Sequence, residues 1–75
     1  MARPPIHDVP IDDDPIRLGQ FLKLSGLAED GGHARALLEE GAVLVDGRTE
    51  TRRGTQLPVG SVVAVGELRA RPVRG

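Results

Sequence analysis

The sequence contains no cysteine, tryptophan or tyrosine, and Phe21 is its sole aromatic residue. Without cysteine, disulfides, thiolate zinc sites and thiol nucleophiles are excluded. A small domain with no disulfide fits a reducing compartment, so a cytoplasmic protein is expected. One aromatic residue, itself part of an apolar helical stripe, speaks against a binding site built from exposed stacking platforms. No apolar run approaches the roughly 20 residues of a membrane span. Nor is the start, Met1-Ala2-Arg3-Pro4-Pro5, followed by the apolar stretch of a signal peptide. With 75 residues the chain has room for one domain, 1–75, and none for a separate catalytic domain. Catalytic constellations are missing as well: only His7 and His33 are present, and neither stands at a telling spacing from Ser25 or Ser61. Asp12-Asp13-Asp14 reads as a solvated helix cap rather than a cation site, so the expectation is a non-enzyme with no metal and no cofactor.

Charge is unevenly distributed along the chain. The formal net charge is −1. Residues 1–30 set Arg3, Arg17 and Lys23 against six acids, a net −3, whereas residues 48–75 set six arginines against Glu50 and Glu67, a net +4. A nearly neutral molecule can therefore present one basic face to an anionic partner. Nine of the ten cations are arginine, whose planar fork suits phosphates and base edges.

The apolar pattern predicts an α+β fold. Ile6, Val9 and Ile11 lie in a proline-interrupted stretch that reads as a short edge strand or ordered arm. Asp12-Asp13-Asp14-Pro15 predicts a helix start, with Asp14 capping and Pro15 at the first helical position. Leu18, Phe21 and Leu22 then give residues 15–25 an apolar face, and Gly26 is a stop. A second helix is predicted after Glu29-Asp30-Gly31-Gly32, running through His33 to Glu40 with Ala34, Leu37 and Leu38 inward and Gly41 ending it. Ala42-Val43-Leu44-Val45 predicts a strand, Asp46-Gly47 a tight hairpin turn, and Arg48–Thr51 the returning strand. Leu57–Ser61 reads as a turn into a strand over residues 62–65. Leu68–Val73 alternates as a last strand at the sheet edge, beside the Ile6–Ile11 segment.

Ile16-Arg17-Leu18, Ala34-Arg35-x-Leu37-Leu38, Gly41-Ala42-Val43-Leu44-Val45-Asp46-Gly47 and Leu57-Pro58-Val59-Gly60-Ser61-Val62-Val63 occur in this order. The set resembles the RNA-binding domain first described in ribosomal protein S4 of the small subunit, also called the alpha-L motif. The closer likeness is to its small stand-alone bacterial members, of the YbcJ and YaaA type. It lies in Phe21–Leu27, Gly31-Gly32-His33-Ala34-Arg35 and Val45–Gly54. The resemblance covers residues 16–65, the core motif. It implies two short helices packed on a small, mostly antiparallel sheet, and an RNA-binding role. Two positions depart from the broader pattern: Asp30 stands where many members have Ser or Thr, and Gly19 where many have Asp.

The candidate site follows from both readings. Lys23, Arg35, Arg48, Arg52 and Arg53 would share one surface if the hairpin folds back beside the second helix, and Arg17 and His33 would tune register. Gly31 and Gly32 would offer backbone amides to a phosphate, in competition with Asp30 as a cap. The bland alternative is ordinary solvated charge, with Arg48 or Arg35 paired to Glu39, Glu40 or Glu50. With no stacking platform, the expected partner is structured RNA (rRNA or tRNA), or a ribosomal particle, bound by a monomer through shape and phosphates. Two other functions fit the same module: a protein-interaction adapter, favoured by the acidic first third, and a subunit that delivers RNA to a separate modifying enzyme. The Arg69, Arg71 and Arg74 tail reads either as an extra RNA arm or as a strand with outward charges.

Overall fold

The computed structural model describes residues 5–75; residues 1–4, which include Arg3 and most of the segment read against a signal peptide, lie outside the described residues. In chain order the elements are β1 (His7–Ile11), β2 (Ile16–Arg17), α1 (Leu18–Leu24), α2 (Gly31–Glu39), β3 (Val43–Val45), β4 (Arg48–Thr49), β5 (Gln56–Leu57), β6 (Val63–Val65) and β7 (Leu68–Arg74). A five-stranded sheet runs β1-β7-β6-β3-β4, and β2 with β5 forms a separate antiparallel ladder. Only the β1–β7 pair is parallel, so the fold is the expected α+β arrangement of two short helices on a mostly antiparallel sheet.

Period-two burial sets the sheet's inner face: Val9, Ile11, Val43, Val63 and Ala70 point inward. Leu18, Phe21 and Leu22 from α1 and Ala34 and Leu38 from α2 complete one hydrophobic cluster with them. Phe21 is fully enclosed, with 0% of its surface exposed. At the β3–β4 hairpin, Asp46 (φ 51°) and Gly47 (φ 85°) are both left-handed, the geometry that matches the twist of the strands and that Asp-Gly favours. Pro72 sits in β7 beyond the stretch paired with β6, so its missing amide breaks no bond on that side. Its carbonyl instead accepts from the Gly60 amide at 2.9 Å.

Four element readings are corrected. The first helix begins at Leu18, not Pro15, because Ile16 and Arg17 are extended and pair with Leu57 and Gln56; burying Ile16 against Leu57 outweighs the local Asp-Pro signal. Leu57 is accordingly a buried strand residue rather than part of a turn. The return strand after Asp46-Gly47 is only Arg48–Thr49, since the amides of Thr51 and Arg52 are taken by the Glu50 side chain rather than by β3. Finally β7 lies inside the sheet, between β6 and β1, and β1 is the edge strand. The second helix closes at Glu39, within a residue of its predicted end.

Candidate nucleic-acid interface

A helix leaves its first amides without intrahelical partners, and α1 has neither an acidic residue in its first turn nor a side-chain cap at Arg17. Backbone carbonyls take that place. The Leu18 amide donates to Thr55 O at 2.8 Å and the Gly19 amide to Arg53 O at 2.9 Å, which draws the 50–55 loop across the start of α1. Gly19 permits the approach: a Cβ there would lie 3.0 Å from the Arg53 Cβ and 3.4 Å from the Arg53 carbonyl oxygen. The near end of the loop is fixed by the Glu50 amide donating to Val43 O at 3.0 Å. Glu50 Oε1 then accepts the amides of Thr51 and Arg52, each at 3.0 Å. The Arg52 amide, with that of Thr51 and the Thr55 side chain, holds the Glu50 carboxyl below its usual range against the opposing effect of desolvation.

This crossing places Arg53 beside the two helices. Arg17, Gln20 and Lys23, Gly31, Ala34 and Arg35, and Arg53 and Gly54 line an open groove of about 400 Å³. Four cations from three chain segments face it, and no acidic residue lines it. Arg17, Lys23 and Arg53 form no ion pair among the described residues. Arg35 Nε donates to Glu39 Oε1 at 3.0 Å, the helical i,i+4 pair anticipated for it; both side chains are largely exposed, so the pair is weak.

Most of the remaining expected site residues do not line the groove. Arg52 is exposed on the same loop as Arg53, and Arg48 is exposed on β4 at the far edge of the sheet. The shared surface expected for five cations thus contains Lys23, Arg35 and Arg53, gains Arg17, and leaves Arg48 and Arg52 outside the lining. Gly31 lines the groove but Gly32 and His33 do not. His33 is engaged at the cap of α2: its amide donates to Asp30 Oδ1 at 2.8 Å, while its Nδ1 accepts the Glu29 amide at 3.0 Å. His33 thus stands where a capping box has Glu, but its side chain accepts from Glu29, the residue before the Asp30 cap, rather than from Asp30 itself. Gln20 and Gly54 were not anticipated in the groove. Gln20 was legible, because Arg17, Gln20 and Lys23 recur every three residues and form one polar stripe.

The C-terminal arginines are strand residues. Arg71 pairs with Asp8 directly across the β1–β7 ladder, and that hydrogen bond holds the Asp8 carboxyl below its usual range. Arg74 reaches Asp14 at 3.8 Å. Among the described residues, no group of three or more His, Asp or Glu side chains is placed to hold a metal ion. No described helix is long and apolar enough to cross a membrane.

Comparison with known proteins agrees with this architecture. The family model described as "S4 domain" matches residues 9–71. The chain belongs to the S4-domain family. It is 45% identical over 65 residues to the "Probable ribosome maturation protein RlbA" of Bacillus subtilis (strain 168), covering 87% of this chain and 86% of that protein. It is 39% identical over 49 residues to the "Putative RNA-binding protein YbcJ" of Escherichia coli (strain K12), covering 65% of this chain and 70% of that protein. A 35% match over 65 residues to a tyrosine–tRNA ligase of Burkholderia lata spans 85% of this chain but 16% of the ligase, so it is confined to a small part of that enzyme. The first two of these relatives, both covered over most of their length, are named for ribosome maturation and for RNA binding.

Proposed function

We propose that this S4-domain protein is a non-catalytic, cytoplasmic RNA-binding protein that docks on structured RNA, ribosomal or transfer RNA, or on a ribosomal particle. The observation that carries the reading is the α1–α2 groove, with Arg17, Lys23, Arg35 and Arg53 around it and no acid in its lining. Phosphates entering it displace counterions, and the arginine forks fix their orientation by paired hydrogen bonds. Arg52 extends the basic surface along the loop, Arg48 adds a cation apart from it at the edge of the sheet, and Gly31, with Gly32 and His33 next in the chain, brings the start of α2 to it. Since Phe21 is wholly buried, affinity comes from shape and backbone charge rather than base stacking. The relatives named for RNA binding and ribosome maturation support the same partner class.

The test is retention of total structured cellular RNA by the purified protein at several salt concentrations, with sequencing of what is retained. Four phosphate contacts give a log–log salt slope of about −3 to −4, so affinity should fall roughly 100-fold between 50 and 200 mM salt. The double variant Arg17→Glu with Arg53→Glu should lose retention while keeping its melting curve. Undiminished retention by that folded variant refutes the groove. Capture of a protein that survives ribonuclease and high salt would favour the adapter role instead.

A further inference from the structure

We propose that Glu50 is a positioning residue for the groove, its carboxylate fixing the loop that presents Arg53 to RNA. The inference rests on the groove reading above, but concerns a side chain that lies outside the groove and carries the charge opposite to the one RNA attracts.

Residues 51–54 are all exposed, so packing does little to hold them. Their conformation depends on polar contacts. The Glu50 amide anchors the near end of the loop to Val43, and Thr55 O and Arg53 O anchor the far end to the amides of Leu18 and Gly19. Between these anchors, one oxygen of Glu50 accepts two consecutive amides, those of Thr51 and Arg52. Two bonds converging on a single atom orient the 50–51 and 51–52 peptide planes, the second of which ends at Arg52, one peptide before Arg53. With a neutral methyl in place of the carboxylate, the two amides turn to water and the loop samples other conformations, carrying the guanidinium away from Arg17 and Lys23.

The two roles open to an acid beside a basic groove predict opposite signs. As charge alone, Glu50 repels phosphate, and removing it tightens binding. As a positioning group, its removal loosens Arg53 and weakens binding. Gln keeps an acceptor oxygen and loses the charge, which separates the roles.

The experiment measures affinity for one retained structured RNA at several salt concentrations, for the full chain and for Glu50→Ala, Glu50→Gln, Arg53→Ala and the Ala/Ala double variant. Arg53→Ala should weaken binding about 10-fold and make the salt slope shallower by about 1. Glu50→Ala should weaken binding by roughly 3- to 10-fold, with a shallower slope, although it removes a negative charge. Glu50→Gln should bind as tightly as the unmodified chain or tighter. In the Arg53→Ala background, Glu50→Ala should cause no further loss. Equal tightening by Glu50→Ala and Glu50→Gln overturns the proposal, as does a Glu50→Ala loss that persists without Arg53. If Arg53→Ala alone leaves binding unchanged, the groove reading fails and this inference with it; a failure confined to Glu50 leaves the Arg53 loss in place. Hydrogen exchange on the unmodified protein gives a readout independent of any variant's folding. The Thr51 and Arg52 amides should be protected, and exchange at the rate of free exposed amides overturns the proposal.

Discussion

Asp46 offers a prediction in which two physical effects can be separated by three substitutions. Its backbone is left-handed, with φ 51°. Its Oδ1 accepts the Val62 amide at 2.9 Å and its own amide donates to Val62 O at 2.8 Å, so the residue forms the turn and also ties the β3–β4 hairpin to the entrance of β6. Asp46→Ala removes the side-chain acceptor, at a cost of about 1 kcal/mol. It also places a Cβ without a compensating polar group in the left-handed region, for about 1 kcal/mol more. The sum of about 2 kcal/mol compares with a total stability of roughly 4–11 kcal/mol for a domain of this size. Asp46→Asn keeps the acceptor oxygen and tolerates the backbone, so it should cost at most about 0.5 kcal/mol. Asp46→Gly relieves the backbone but not the lost bond and should fall between, near 1 kcal/mol. Thermal unfolding followed by far-UV circular dichroism reads these differences at about 4–8 °C per kcal/mol, which puts the Ala variant some 8–16 °C below the unmodified protein. If Ala and Asn melt together, neither the bond nor the backbone matters. If Gly melts with Ala, the hydrogen bond accounts for the whole effect and the φ reasoning is refuted.

Acid should loosen the molecule through two carboxylates. Glu50 and Asp8 both have folded pKa values below their usual ones, so their stabilisation is fully present above the ordinary carboxylate range and is lost as pH falls through the depressed folded values. Stability measured in urea should therefore decline from about pH 5 downward, and the Glu50→Gln variant should show a shallower decline; an unchanged acid profile would contradict the amide contacts of Glu50. In the core, Phe21→Ala should cost about 3–5 kcal/mol and lower the urea midpoint sharply, whereas Phe21→Leu should cost about 1 kcal/mol. A Phe21→Ala variant with a near-native urea midpoint would show that the ring is not the centre of the packing.

What could be read from the sequence divides along sequence separation. Asp46-Gly47 was legible because two adjacent residues that tolerate positive φ specify one turn by themselves. Asp30 was legible as a cap because its oxygen needs to reach only as far as the His33 amide. The stripe of Leu18, Phe21 and Leu22 was legible because helical period requires no partner to be visible. The start of α1 was misread because its determinant is remote: Ile16 pairs with Leu57, and the free amides of α1 are met by carbonyls of residues 53 and 55. The same remoteness explains why Arg17 enters the groove and Arg48 does not. Arg48 follows the hairpin turn in a strand that ends after two residues, at the far edge of the sheet, while Arg53 is carried by the loop back to α1. Glu50 gave no distinguishing signal, since a carboxylate that folds onto its own neighbours' amides has the same sequence context as one that pairs with an arginine.

The net charge of −1 and the basic groove are reconciled by the one parallel ladder in the sheet. Pairing β1 with β7 in parallel sets Asp8 opposite Arg71, and the same crossing lets Asp14 reach Arg74. Acids of the negative first third are thereby matched against cations of the positive last third on β7 and near its end. The groove lies elsewhere, on the helices and the 50–55 loop, and among the described residues its four cations have one ion pair, the exposed Arg35–Glu39 pair. A near-neutral molecule of this kind has a weak long-range field, and at physiological salt its attraction for phosphate extends only about 8 Å from the groove. If the groove is the RNA site proposed above, discrimination among RNAs depends less on bulk charge than on how closely a backbone can follow its four cations, and the conformation of the loop carrying Arg53 then bears directly on affinity.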